Sequence, residues 1–215
     1  MEILNQISTM LQKGKMRDVK ALVQQALDEG IEAKLILNEG LLSAMDIIGT
    51  KFKNNEIYVP EVLIAARAMN AGAQLLKAKL AEDGVESIGK AVICTVKGDL
   101  HDIGKNLVKM MLEGKGLEVI DLGVDVSEDR IIQAIEEDNA QIVCLSALLT
   151  TTMTEQKTVI DALVNAGVRD KVKVMIGGAP VTESYAREIG ADAYTPDAAT
   201  AAEVAKQYVC EMQTA

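Results

Sequence analysis

KAVICTVKGDLHDIGKN, residues 90–106, reads as a strand, a loop and the start of a helix. Lys90 to Val96 is an apolar, β-branched run; Gly98 and Asp99 break it, and helical spacing begins just beyond. The alternation repeats downstream. LEVIDL (117–122), AQIVCLS (140–146) and KVKVMIGG (171–178) are short buried-strand patterns, each followed by helical spacing, and ADAYT (191–195) precedes a final helix. Strands alternating with helices predict a parallel sheet covered on both faces. The five units fit a flavodoxin-like (Rossmann-type) α/β domain over residues 89–215, with a five-stranded parallel sheet in the order 2-1-3-4-5. Ligands of such sheets bind at the carboxyl ends of the strands, where the order reverses between strands 1 and 3. The loops KGDLHDIG and SALLTTT are therefore expected to face each other there, with the GGAP turn after strand 4 beside them.

Residues 1–86 show only helical periodicity. In VLIAARAMNAGAQLLKAKL the apolar positions Leu63, Ala66, Met69, Ala73, Leu76 and Leu80 recur at three- and four-residue steps, and Pro60 stands where a first helical turn tolerates it. Similar spacing from Val19 to Leu27 and from Leu35 to Ile48 completes the expectation of an N-terminal four-helix bundle. The polar, glycine-bearing stretch EDGVESIGK (82–90) is the expected joint between the halves.

The chain of 215 residues is 49% hydrophobic and 25% charged, which reads as soluble and globular. No apolar run approaches the roughly 18 residues of a membrane span, and the start has no basic region followed by an apolar core. Neither a membrane association nor a signal peptide is expected. Cys94, Cys144 and Cys210 form no CxxC pair, which suits reduced thiols in a cytoplasmic protein. With a net charge of −10, one Phe, four Tyr and no Trp, the chain offers neither a basic stripe for phosphates nor aromatic platforms for bases. Nucleic-acid binding is not expected.

His101 is the single histidine. Asp99 is spaced to accept a hydrogen bond from its Nδ1, which would set the tautomer and leave Nε2 free as a base or a metal ligand. A nucleophilic triad would need Ser146 or Thr150, neither of which sits in a G-x-S-x-G elbow. One histidine without clustered cysteines cannot fill a tetrahedral zinc site. A phosphate cradle between Gly98 and Gly104 lacks the Walker lysine and would meet repulsion from Asp99 and Asp102. What remains is a cofactor that brings its own equatorial ligands and takes one axial imidazole from the protein.

Asp99-x-His101-x-x-Gly104, Ser146-x-Leu148 and Gly177-Gly178 follow strands 1, 3 and 4. This set resembles the DxHxxG, SxL and GG signature of cobalamin-binding domains of the methionine synthase type, and the resemblance extends over the N-terminal helices. It implies a corrinoid held base-off, with His101 as the lower cobalt ligand and Asp99 and Thr152 as its proton relay. It further implies cofactor contacts from Asp102, Ile103, Gly104, Ser146, Leu148, Thr150, Gly177, Gly178, Ala179 and Tyr194. The nucleotide tail would pass Ser146 and Thr150, and close approach of backbone to ligand would account for Gly177 and Gly178. The family usually has serine where this chain has Thr152, whose other reading is a helix N-cap. In the helical half, a cap domain by this resemblance, Phe52 and Val59 before Pro60 match the spacing of residues that cover the upper face of the corrin.

A helical cap plus a corrinoid domain is similar to the stand-alone corrinoid proteins of anaerobic methyltransferase systems. The resemblance implies a methyl carrier. A donor-specific methyltransferase acting on a methylamine, a quaternary amine, methanol or an aryl ether would methylate Co(I). A second would move the methyl from Co(III) to tetrahydrofolate or coenzyme M, and a reductive activase is implied as well. The cap would have to move on each transfer, with a hinge at residues 82–90. An adenosylcobalamin-dependent mutase subunit would share the three motifs without the methyl cap. A cobalamin-sensing regulator would need a DNA-binding module, and a cofactor-free flavodoxin-like protein would leave His101 unexplained.

Overall fold

The computed structural model describes residues 2–214. The chain forms two compact units, one running to Ser87 together with Gly114–Gly116, the other made of Ile88–Glu113 and the chain from Leu117 onward.

The first unit is helical. Helices α1 (Glu2–Gln12) and α2 (Met16–Asp28) turn Ile3, Leu4, Ile7, Leu11, Val19, Val23 and Ala26 inward at helical spacing. Helix α3 (Ala33–Leu35) runs into a π-helical segment, Ile36–Leu42, which continues as α4 (Ser43–Lys53). Periodicity alone predicts ordinary helix from Leu35 to Ile48. The wider winding brings Ile36, Gly40 and Leu41 onto the buried side together, where a Cβ on Gly40 would lie 3.2 Å from Cγ2 of Ile7. Helix α5 (Val59–Glu82) has Pro60 in its first turn, where the missing N–H costs nothing, and Glu61 accepts the Tyr58 N–H at 3.2 Å. With α3, the π segment and α4 as one length, the unit is the four-helix bundle expected.

The second unit alternates strand and helix: β1 (Lys90–Thr95), α6 (Ile103–Gly114), β2 (Glu118–Asp121), α7 (Glu128–Asp138), β3 (Ile142–Ser146), α8 (Thr154–Asn165), β4 (Lys173–Gly177), α9 (Glu183–Ile189), β5 (Ala193–Tyr194) and α10 (Ala198–Thr214). All pairings are parallel in the order β2-β1-β3-β4-β5, the doubly wound topology expected. Valine, isoleucine and leucine from the strands form one core with Ile131, Ile135, Val159, Ile160, Leu163 and Ile189 of α7, α8 and α9. On the α10 side small residues face inward: Ala198, Ala201, Ala202, Ala205 and Val209 are buried. Gly89 is buried at the start of β1, where a Cβ would lie 2.6 Å from Cγ1 of Val209, so it is a packing position of this unit rather than a free joint residue.

The register matters most for function. Thr95 of β1 pairs with Ser146 of β3, and Ser146 pairs with Gly177 of β4. Three strands thus end level, and their following loops start side by side. Cys94 and Cys144 lie buried within this sheet, the pKa of each thiol pushed up to about 12 by burial, while Cys210 is exposed; all three are free. Among the described residues no helix is long and apolar enough to cross a membrane.

Candidate functional site

The loop after β1 is held at both ends. The Val96 N–H donates to the Ser146 carbonyl at 3.0 Å, and the Thr95 hydroxyl donates to the carbonyl of His101 at 2.8 Å. This folds Asp99 inward until its side chain is fully buried. Four donors meet it there. Oδ1 accepts the His101 backbone N–H at 3.1 Å and lies 2.7 Å from Nδ1 of the same residue, while Oδ2 accepts the Leu148 N–H and the Thr152 hydroxyl, each at 2.7 Å. Burial by itself would raise the pKa of this carboxyl. The hydrogen bonds from Leu148, Thr152 and His101 outweigh it and hold the group well below the usual carboxylate range.

A charged carboxylate can only accept, so Nδ1 of His101 carries the proton. The Nε2 lone pair is then free, on a side chain that is 53% exposed. Around it, Leu100 and Ile103 are 71% and 78% exposed, and Leu148 and Leu149 are exposed beyond β3. Both loops therefore contribute unburied large apolar side chains beside an imidazole whose second nitrogen is already occupied. Such a rim suits a broad apolar ligand with an electron-pair acceptor within it.

The remaining residues singled out in the sequence fall in several places. Asp102, Ile103 and Gly104 start α6, where Asp102 Oδ2 accepts the Asn106 side-chain amide at 3.0 Å. Ser146 closes β3 half-buried, Thr150 is exposed in the turn after it, and Ala179 is exposed after β4. Gly178 has φ +132°, and a Cβ there would lie 1.7 Å from the Ala147 carbonyl oxygen. Its bareness is thus required already by the approach of two protein backbones. Gly177 is roomier, since a Cβ there would lie 3.3 Å from the Thr195 carbonyl oxygen. Tyr194 pairs with Ile176 and packs against the core shared by α7–α9, without a bond to the Asp99 cluster. Thr152 is no N-cap: α8 starts at Thr154, its cap position is Met153, and the Thr152 hydroxyl goes to Asp99. Phe52 and Val59 are half-buried in the helical unit, near the end of α4 and at the start of α5.

Several supporting residues carry little signal in the sequence. Thr95 is legible there only as a polar residue in an apolar strand. Gln156 of α8 is fully buried, and its side-chain amide donates to the carbonyls of Leu145 and Gly177, each at 3.1 Å, strapping β3 to β4 under the site. Lys105 is buried on an ion pair with Asp121 at 2.6 Å. Asp125, in the loop after β2, bonds the β1 loop through both its side chain and its backbone.

Two family profiles, each described as a B12 binding domain, match the chain, over residues 3–77 and residues 89–205. The chain belongs to the B12-binding corrinoid protein family. It is 42% identical over 207 residues to a dimethylamine corrinoid protein of Methanosarcina barkeri, covering 96% of this chain and 97% of that one. Among solved structures, this corrinoid protein matches a cobalamin-binding protein from Desulfitobacterium hafniense at 30% identity and TM-score 0.79, covering 95% and 98% of the two chains. It also matches the methanol:cobalamin methyltransferase complex MtaBC from Methanosarcina barkeri at 28% identity and TM-score 0.87, covering 97% of this chain and 80% of that one. The donor set fits a corrinoid: one outward Nε2 on a ring fixed from behind, ringed by exposed aliphatic side chains.

Proposed function

We propose that this corrinoid protein is a methyl carrier, with His101 as the lower axial ligand of a corrinoid bound base-off. The observation that carries the reading is the Asp99–His101 pair, which is joined by two hydrogen bonds, held from outside by the Leu148 N–H and the Thr152 hydroxyl, and presents a free Nε2 within an apolar rim. When bound, the corrinoid supplies a cobalt centre able to accept and give up a methyl group.

The residues of the chain do the rest. By accepting the Nδ1 proton at 2.7 Å, Asp99 would hold the imidazole with Nε2 turned toward the cofactor. Thr152 and the Leu148 N–H keep that carboxylate in place throughout. Leu100, Ile103, Leu148 and Leu149 would offer apolar contact to the macrocycle, Ser146, Thr150, Gly177, Gly178 and Ala179 would border its nucleotide tail, and the family resemblance assigns a covering role to Phe52 and Val59. A donor-specific methyltransferase, a second methyltransferase acting on tetrahydrofolate or coenzyme M, and a reductive activase complete the proposal, with the cytoplasm as the setting. The relatives named for dimethylamine and the solved methanol:cobalamin methyltransferase complex support a partner of this kind.

The test is the visible spectrum of the chain reconstituted with cobalamin, beside His101→Ala. The wild type is expected to take up stoichiometric cobalamin base-off with imidazole bound, and the variant to show a base-off form lacking the imidazole. Identical spectra would remove His101 from the metal.

A further inference from the structure

Asp125 stands out in the loop after β2. It is one of three non-glycine residues with positive φ among those described, at +54°, and it is exposed, so nothing in a core forces it there. Left-handed backbone in a residue with a Cβ persists where surrounding bonds over-determine it. Two such bonds exist. The side-chain Oδ1 of Asp125 accepts the Gly98 N–H at 2.7 Å, and its backbone N–H donates to the Asp99 carbonyl at 3.0 Å. One residue thus grips the β1 loop on both sides of the Asp99 Cα. The next residue continues the hold, since Val126 bridges Val96 and its N–H donates to the Thr95 carbonyl at 3.2 Å.

We propose that Asp125 is a positioning residue for the site: by bracketing Gly98 and Asp99 it sets the direction in which the Asp99 carboxylate enters, and through it the tautomer and aim of the His101 ring. The inference rests on the reading of His101 as the axial ligand for its functional meaning, but its structural content concerns the free protein. Gly98, with φ +78°, is the third residue of a turn that the Asp99 N–H closes on the Val96 carbonyl at 3.2 Å, and Asp125 holds that turn from outside. The Leu148, Thr152 and His101 donors act on the carboxylate end of Asp99; Asp125 acts on the backbone end. Losing it leaves those donors present but lets the carboxylate rotate among them.

Because the chain has one histidine, nitrogen-15 NMR of the uniformly labelled free protein reports that ring without assignment. At about pH 8.5, above the ordinary imidazole range, the wild type is expected to show a single tautomer protonated at Nδ1. Asp125→Ala and Asp125→Gly should show both tautomers in exchange. Asp125→Asn keeps an acceptor oxygen and tolerates the left-handed backbone, and should look like wild type. The glycine variant relieves the backbone strain, so a wild-type spectrum from glycine but not from alanine would assign the effect to strain and overturn the bracket. A single Nδ1 tautomer in all variants, with only melting temperatures changed, would also overturn it. In parallel, cobalamin affinity is expected to fall about tenfold for Asp125→Ala and to stay near wild type for Asp125→Asn. If the wild type bound no cobalamin, the carrier reading would fail while the tautomer spectra still decided the role of Asp125.

Discussion

Gly178 lies where the loop after β4 touches the loop after β3, and the 1.7 Å gap between its missing Cβ and the Ala147 oxygen leaves no room for any other residue. Gly177, one position earlier, would need its neighbour to give by only a few tenths of an ångström. Gly178→Ala is therefore expected to cost about 3 kcal/mol or more, and Gly177→Ala about 1 kcal/mol, in urea unfolding followed by circular dichroism. Equal costs would mean that the two loops part easily. The contrast shows what a sequence carries at this scale. The Asp99-x-His101 contact was legible because two residues in one loop can meet only within a short reach. The partner that makes Gly178 necessary belongs to a different loop, and a Gly-Gly pair records a need for bare backbone without naming what comes close. Asp125 was illegible for the same reason, since its bond to Gly98 depends on how far β2 runs beside β1.

At the scale of elements, the contact between the start of β1 and helix α10 is tight enough to test. A Cβ on Gly89 would stand 2.6 and 2.9 Å from the two methyl groups of Val209, whose short side chain cannot swing clear. Gly89→Ala should destabilise by about 2 kcal/mol through overpacking, and Val209→Ala by a similar amount through lost burial. The double variant should cost at least about 1 kcal/mol less than the sum, because each change makes room for the other. Additive costs would show that β1 and α10 are not coupled there. Strand and helix existence was readable from periodicity along the whole chain, whereas the π winding of Ile36–Leu42 was not. Apolar spacing of three and four residues is shared by both windings over so short a stretch, and the choice is made by what Gly40 and Leu41 meet.

For the molecule as a whole, stability should depend on acid through two carboxylates of the sheet unit. Burial alone would raise both, yet hydrogen bonds from Leu148, Thr152 and His101 lower Asp99, and Lys105, the Gly123 N–H and Lys109 lower Asp121. A carboxylate lowered on folding binds its proton more readily when unfolded, so stability is complete above the ordinary range near pH 4 and drains away as pH falls through the folded values. The urea midpoint should hold between about pH 7 and 5 and fall steeply toward pH 3. Asp99→Asn should begin lower and lose less over that interval, and an unchanged slope would remove Asp99 as a source. The helical half, the parallel sheet with its order of strands, and the Asp99–His101 pair were all readable from the order of residues, because they follow from periodicity and from contacts within a few positions. That β1, β3 and β4 end level, that the Leu148 N–H closes on Asp99, and that Gly178 and Asp125 hold the loops emerged with the folded chain alone. Those contacts depend on strand register, which packing over the whole sheet sets and no single segment encodes.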